Sequence, residues 1–161
     1  MNKCLFPILT ILSMIACHGD HSHDVVELRL VVDNNKAAIE FEVGGDALFG
    51  IEKAPENEEQ QKILADARDQ FMANLPQMIS FQEGQSCSFS SEEPVQFEEK
   101  GHHYHAGLEV IMDCEKPIPG SVLTFNVKAK YDEINKINLE LTAAGVKEHG
   151  LSAAGGSYTL P

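Results

Sequence analysis

The amino-acid sequence predicts an α+β fold: a mostly antiparallel β-sheet with one main helix at about residues 56–75, closed by one disulfide. Three observations carry this. Short runs of period-two alternation recur along the chain, one stretch alone shows a broad helical face, and glycines fall between the runs. Many strands with a single helix fit a sheet covered on one side better than alternating β-α-β units. A length of 161 residues is that of one domain, and 43% hydrophobic residues are enough for a core.

The elements follow in order. Met1 to Cys17 has one lysine, Lys3, and then an uncharged, mostly apolar run from Leu5 to Ala16. That run is too short to span a bilayer, which takes ~20 apolar residues, and has the length of a signal-peptide core with small Ala16 at the cut. Residues 1–16 are therefore expected to be an export signal, 17–24 a short His-containing tether and 25–161 a single domain. Val26, Leu28, Leu30 and Val32 share one parity against Glu27 and Arg29, which predicts a half-buried strand. After Asp33-Asn34-Asn35-Lys36, residues that tolerate turn geometry, Ala37, Ile39, Phe41 and Val43 alternate with Glu40 and Glu42, so the pair reads as a β-hairpin. Gly44-Gly45-Asp46 breaks it, and 47–51 reads as a short apolar connection leading to Pro55.

In the helix, Ile63, Leu64, Ala67, Phe71 and Leu75 fall on one face. Glu56, Glu58 and Glu59 suit its positive end, Asn57 with Gln60 can form a cap, and Pro76 is expected to close it. Strands are expected at 78–81, 86–90, 103–114, 122–130, 136–142 and 157–160, with Gly84, Gly120, Gly150 and Gly155-Gly156 at turns.

Charge and cysteines narrow the function. A formal charge of −13 disfavours nucleic acid and anionic lipid surfaces and favours cations as small partners. Met14-Ile15-Ala16-Cys17 resembles the lipobox of bacterial lipoproteins, in which the cysteine becomes the lipidated first residue. Membrane attachment would then be through the lipid on Cys17 alone, with ordinary cleavage and a soluble periplasmic product as the alternative. His18 rather than an aspartate after Cys17 leans toward the outer membrane, facing the periplasm. If Cys4 leaves with the signal and Cys17 carries lipid, Cys87 and Cys114 remain. Their simplest arrangement in an oxidising compartment is a bridge, worth roughly 3 kcal/mol on the chain-entropy account, and the alternative is two buried thiols.

Six of the seven histidines form two groups: His18, His21 and His23, then His102, His103 and His105. In a strand, residues two apart face the same way, so His21 with His23, and His103 with His105, can each offer two imidazoles to one ion. Neutral imidazole is a preferred ligand of zinc, copper and nickel. Both His-x-His pairs are followed four residues later by glutamate, Glu27 and Glu109, and both lead into strands of matching hydrophobic parity. This suggests an internal pseudo-repeat whose His pairs converge on one zinc ion. Asp20, Asp24, Glu27, Glu109 and the Glu98-Glu99 pair could complete the coordination, with surface charge the ordinary role for most of them. Tyr104 is expected to face away from its histidine neighbours, and His149 beside Gly150 to lie in a loop.

The His-Ser-His-Asp start, Leu48-Phe49-Gly50-Ile51-Glu52-Lys53-Ala54-Pro55 before an acidic helix, the Cys87 and His103 segments and Val110-Ile111-Met112-Asp113-Cys114 together resemble the ZrgA-type periplasmic proteins of Gram-negative bacteria. The likeness runs from about His21 to Leu160 and departs at Ile51 and Lys53, where the usual residues are Phe and His. It implies a zinc-binding accessory of zinc uptake, working beside a high-affinity ABC importer. By position, His21 and His23 match the amino-terminal His pair, Cys87 and Cys114 the paired cysteines, and His103 and His105 the later His segment. Ser90 to Gly101 is acidic but holds no histidine, which argues for one or a few defined ions rather than a high-capacity store.

The expected protein is thus a periplasm-facing lipoprotein that captures zinc as cargo and is not an enzyme. No HExxH, GxSxG, GxxxxGK[ST] or CxxC pattern occurs. The alternatives are a structural or interaction lipoprotein with incidental histidines and a copper-binding accessory protein; Met72, Met78 and Met112 sit at apolar core positions.

Overall fold

The computed structural model describes residues 24–81, 84–100, 103–143, 145–152 and 154–161. The expected export signal, Cys17, His18, His21, His23 and His102 lie outside these residues, and of His103 and His149 the backbone alone is described.

The predicted hairpin forms. Strands β1 (Val25–Asp33) and β2 (Lys36–Gly44) pair antiparallel around Asn34, whose φ of 54° suits asparagine at a tight turn. The expected connection instead begins with a short helix, α1 (Gly45–Phe49), ended by Gly50 in the left-handed conformation. The main helix, α2, runs Glu58–Met78, starting later and ending later than its periodicity suggested. Its cap is the predicted one: Asn57 Oδ1 accepts from Gln60 N at 2.9 Å, and Gln60 Oε1 accepts from Glu56 N at 2.8 Å. Pro76 does not close the helix. A proline this near the end removes one backbone donor, and burial of Leu75 and Met78 against the core outweighs that loss.

Seven further strands were expected or are gained as β3 (Ile79–Phe81), β4 (Cys87–Ser90), β5 (Gln96–Lys100), β6 (His103–Cys114), β7 (Val122–Asn126), β8 (Lys136–Ala143) and β9 (Val146–Ser152), followed by β10 (Gly155–Thr159). Strands β5 and β9 had no sequence signal, and β7 gives way to a 3-10 turn at Val127–Ala129. The main sheet has seven strands in the order β4-β6-β2-β1-β8-β9, with β5 pairing beside β4 along β6; β10-β7-β3 forms a second sheet. All pairings are antiparallel except that of β1 with β8.

One face of the main sheet is core. Leu28, Leu30, Ile39, Phe41, Leu108, Val110, Leu139 and Leu141 are buried together with Phe71, Leu75 and Met78 of α2 and Leu123 and Phe125 of the second sheet. The Phe41 and Phe71 rings meet edge-on at 5.0 Å. The other parity, outward in each strand, carries Glu27, Arg29, Glu40, Glu42, Glu109 and Glu140. Cys87 and Cys114 are bonded, S–S 2.04 Å, and are directly opposed in the β4–β6 ladder. Gly150, expected at a turn, lies inside β9, where an added Cβ would stand 2.9 Å from Tyr158 Cε1. Among the described residues no helix is long and apolar enough to cross a membrane.

Candidate functional site

The site is built on three strands at one end of the main sheet. Strand β6 alternates, so the burial of Ala106, Leu108 and Val110 sends His105 to the outer face. Strand β2 alternates the other way along the chain, and Phe41 and Val43 in the core leave Glu42 outside beside it. Strand β5 folds back on β6 so that Glu98 opposes His105 and Lys100 opposes His103.

The result is a compact polar group. His105 Nδ1 lies 3.2 Å from Glu42 Oε1, with side chains 15% and 28% exposed. Lys100 Nζ donates to that same Glu42 oxygen and stands 3.5 Å from Glu98 Oε2. Glu42 accordingly raises Lys100 above the ordinary lysine value, so this ammonium is charged wherever imidazole chemistry matters. Tyr104 faces the opposite way, as its parity required. Its hydroxyl is 3.4 Å from Glu99 Oε2, and Lys53 Nζ stands 5.5 Å from the ring centroid.

Of the histidines singled out in the sequence, His103 and His105 stand two apart on β6, on the same parity. The amino-terminal group, His18, His21 and His23, and also His102, lie outside the described residues. Asp24, one of the expected acidic ligands, stands at the start of β1: its carboxylate accepts from Asn135 Nδ2 at 3.1 Å and its carbonyl from Asn135 N at 2.8 Å. His149 is in β9 rather than a loop, opposite Glu140. The two segments of the suspected repeat both flank β2 and run the same way, but they are not neighbours, and Glu27 shares a row with Glu42 and Gly107 rather than with Glu109.

Glu42 and Lys100 were missed as site residues. Their outward parity was readable, but the bond between them spans 58 residues of chain and needed the β5–β6–β2 register to be seen. Glu42 also borders a shallow basin of about 390 Å³ on the outer face, shared with Glu27, Arg29, Glu40, Asn138 and Glu140. There Arg29 bonds Glu40, and Lys147 Nζ bonds Glu140 Oε1 at 2.9 Å, so the basin's acids are largely matched by cations. Among the described residues no three His, Cys, Asp or Glu side chains are grouped closely enough to hold a metal ion.

The family model described as ZrgA family zinc uptake protein matches residues 20–159. No curated protein matches the chain.

Proposed function

The chain belongs to the ZrgA family of zinc uptake proteins, and from that premise we propose that it is a zinc-binding, non-catalytic lipoprotein that captures the ion in the periplasm and passes it toward a high-affinity ABC importer. In this reading Cys17 carries the lipid, and the zinc ligands come from His103 and His105, with His21 and His23 of the tether supplying the rest. His18 and His102 stand next to these pairs as reserve ligands. Zinc is cargo here.

The observation that supports this most is the placing of His105 against Glu42. A carboxylate beside Nδ1 favours the proton on that nitrogen, and a neutral imidazole protonated at Nδ1 carries its lone pair on Nε2. Metal-bound histidines are commonly held this way by an outer carboxylate, which fixes the tautomer and raises the basicity of the ligand. Glu98 is the cross-strand partner of His105 on β5. Strands β1 and β6 start at the same end of the sheet, separated by β2 alone and thus by ~9.5 Å. The His pair ahead of β1 shares the sequence parity of outward-facing Glu27.

Zinc titration of the purified chain by calorimetry, repeated on a variant with His21, His23, His103 and His105 all changed to Ala, tests the proposal. The variant is expected to lose high-affinity binding while keeping its fold by circular dichroism. Equal affinity in the two proteins sinks it.

A further inference from the structure

We propose that Lys100 is a built-in competitor for zinc, an ammonium held on the two carboxylates beside His105 that weakens the site so that its cargo can be released. The inference rests on the zinc-binding reading above and goes beyond it by assigning a role to a residue that is not a ligand.

Three features of the placement point this way. Lys100 Nζ shares one oxygen, Glu42 Oε1, with His105 Nδ1, so its charge sits immediately next to the imidazole and not merely on the same surface. It reaches a second carboxylate, Glu98 Oε2, at 3.5 Å, and that glutamate is the direct cross-strand partner of His105. Finally, Lys100 is 33% exposed, whereas Lys36, Lys62 and Lys147, the other lysines in ion pairs among the described residues, have side chains at least 60% exposed. The ammonium is therefore less screened by water than those of ordinary surface pairs.

The physical consequence is competition. Glu42 and Glu98 are the acids that would stabilise a dication next to His105, and a positive charge already occupies them. An arriving zinc ion must either move the ammonium or remain beside it, and both options cost free energy that a neutral side chain would not impose. A carrier gains from this, because a site that binds too tightly cannot hand its ion on. Being tethered to the same hairpin as His103 and His105, the ammonium returns when the metal leaves.

The test is competitive zinc titration of the purified chain against a chelator, with Lys100→Gln, Lys100→Met and Lys100→Arg. Both neutral variants are expected to bind zinc about tenfold more tightly, ~1.4 kcal/mol, and Lys100→Arg to keep the parent affinity. The gap between neutral and parent proteins should also narrow when salt is raised from ~50 mM to ~500 mM, since the effect is between charges. Neutral variants that fold and bind no more tightly, or a gap indifferent to salt, overturn the role of Lys100 while the zinc reading stands on its histidine variant. A parent chain that binds no zinc overturns both.

Discussion

At His105 the neighbouring strand supplies a carboxylate, Glu42 Oε1, 3.2 Å from Nδ1. Glu42 is positioned by the burial of Phe41 and Val43 on either side of it, so core packing in β2 sets the chemistry of a residue in β6. Changing Glu42 to Gln keeps the shape and removes the negative charge 3.2 Å from Nδ1. Zinc affinity should fall about tenfold or more, the usual effect of losing such an outer partner, as read by the same competitive titration. Occupancy should also be lost on acidification through the imidazole range near ~6.5, because a protonated ring has no lone pair to give; zinc retained well below that range would exclude histidine ligands. A different residue-scale constraint lies at Gly45, where an added Cβ would be 2.5 Å from the Ile51 carbonyl oxygen. Gly45→Ala must push the backbone of the following turn, and urea unfolding is expected to show a loss of ~1–3 kcal/mol.

Elements were legible where one face is wet and the other buried. The β1–β2 hairpin and β6 announce themselves by alternation because each lies on a sheet with one solvated face, and the outward parity of Tyr104's neighbours followed from the same pattern. Strands β5 and β9 had no such signature. They pair along the sheet's margins, where Gln96-Phe97-Glu98-Glu99-Lys100 forms a strand through its backbone bonds to β6 rather than through burial. Helix α2 is legible by its apolar face, yet its end is not, since the local cost of Pro76 is overridden by the packing of Met78, which no local signal carries. Its start rests on Asn57, and Asn57→Ala is expected to lower stability by ~1 kcal/mol in chemical denaturation, with Asn57→Ser or Asn57→Asp close to the parent. For the candidate site the His-x-His spacing on β6 was readable, while the partners Glu42 and Lys100 were not, because register between distant strands is a tertiary property.

For the whole molecule, the Cys87–Cys114 bond ties β4 to the far end of β6 from His105. Replacing both cysteines by Ala should cost about 3 kcal/mol on the loop-entropy account, measured as a lower unfolding midpoint, with little change in zinc affinity because the site is at the other end of the strand. Alkaline pH should destabilise the fold. Burial raises the Tyr131 phenol above its usual value, and ion pairing raises Lys36, Lys62 and Lys100 above theirs. A group whose folded value is raised contributes its stability below the unfolded value and loses it as pH climbs past that point. Stability is thus expected to hold up to about pH 10 and to decline above it, as read by chemical denaturation across that range.

Strand β1 is the first strand among the described residues and also an interior strand, bordered on one side by β2 and on the other by β8, whose partner residues arrive 111 positions later. Its backbone hydrogen bonds to β8 therefore wait for about the last sixth of the polypeptide. Such a high contact order makes folding slow and postpones it until synthesis is nearly finished, so the nascent chain stays threadable for most of its length, and a product cut short before Lys136 would expose β1 as a sticky, unsatisfied margin.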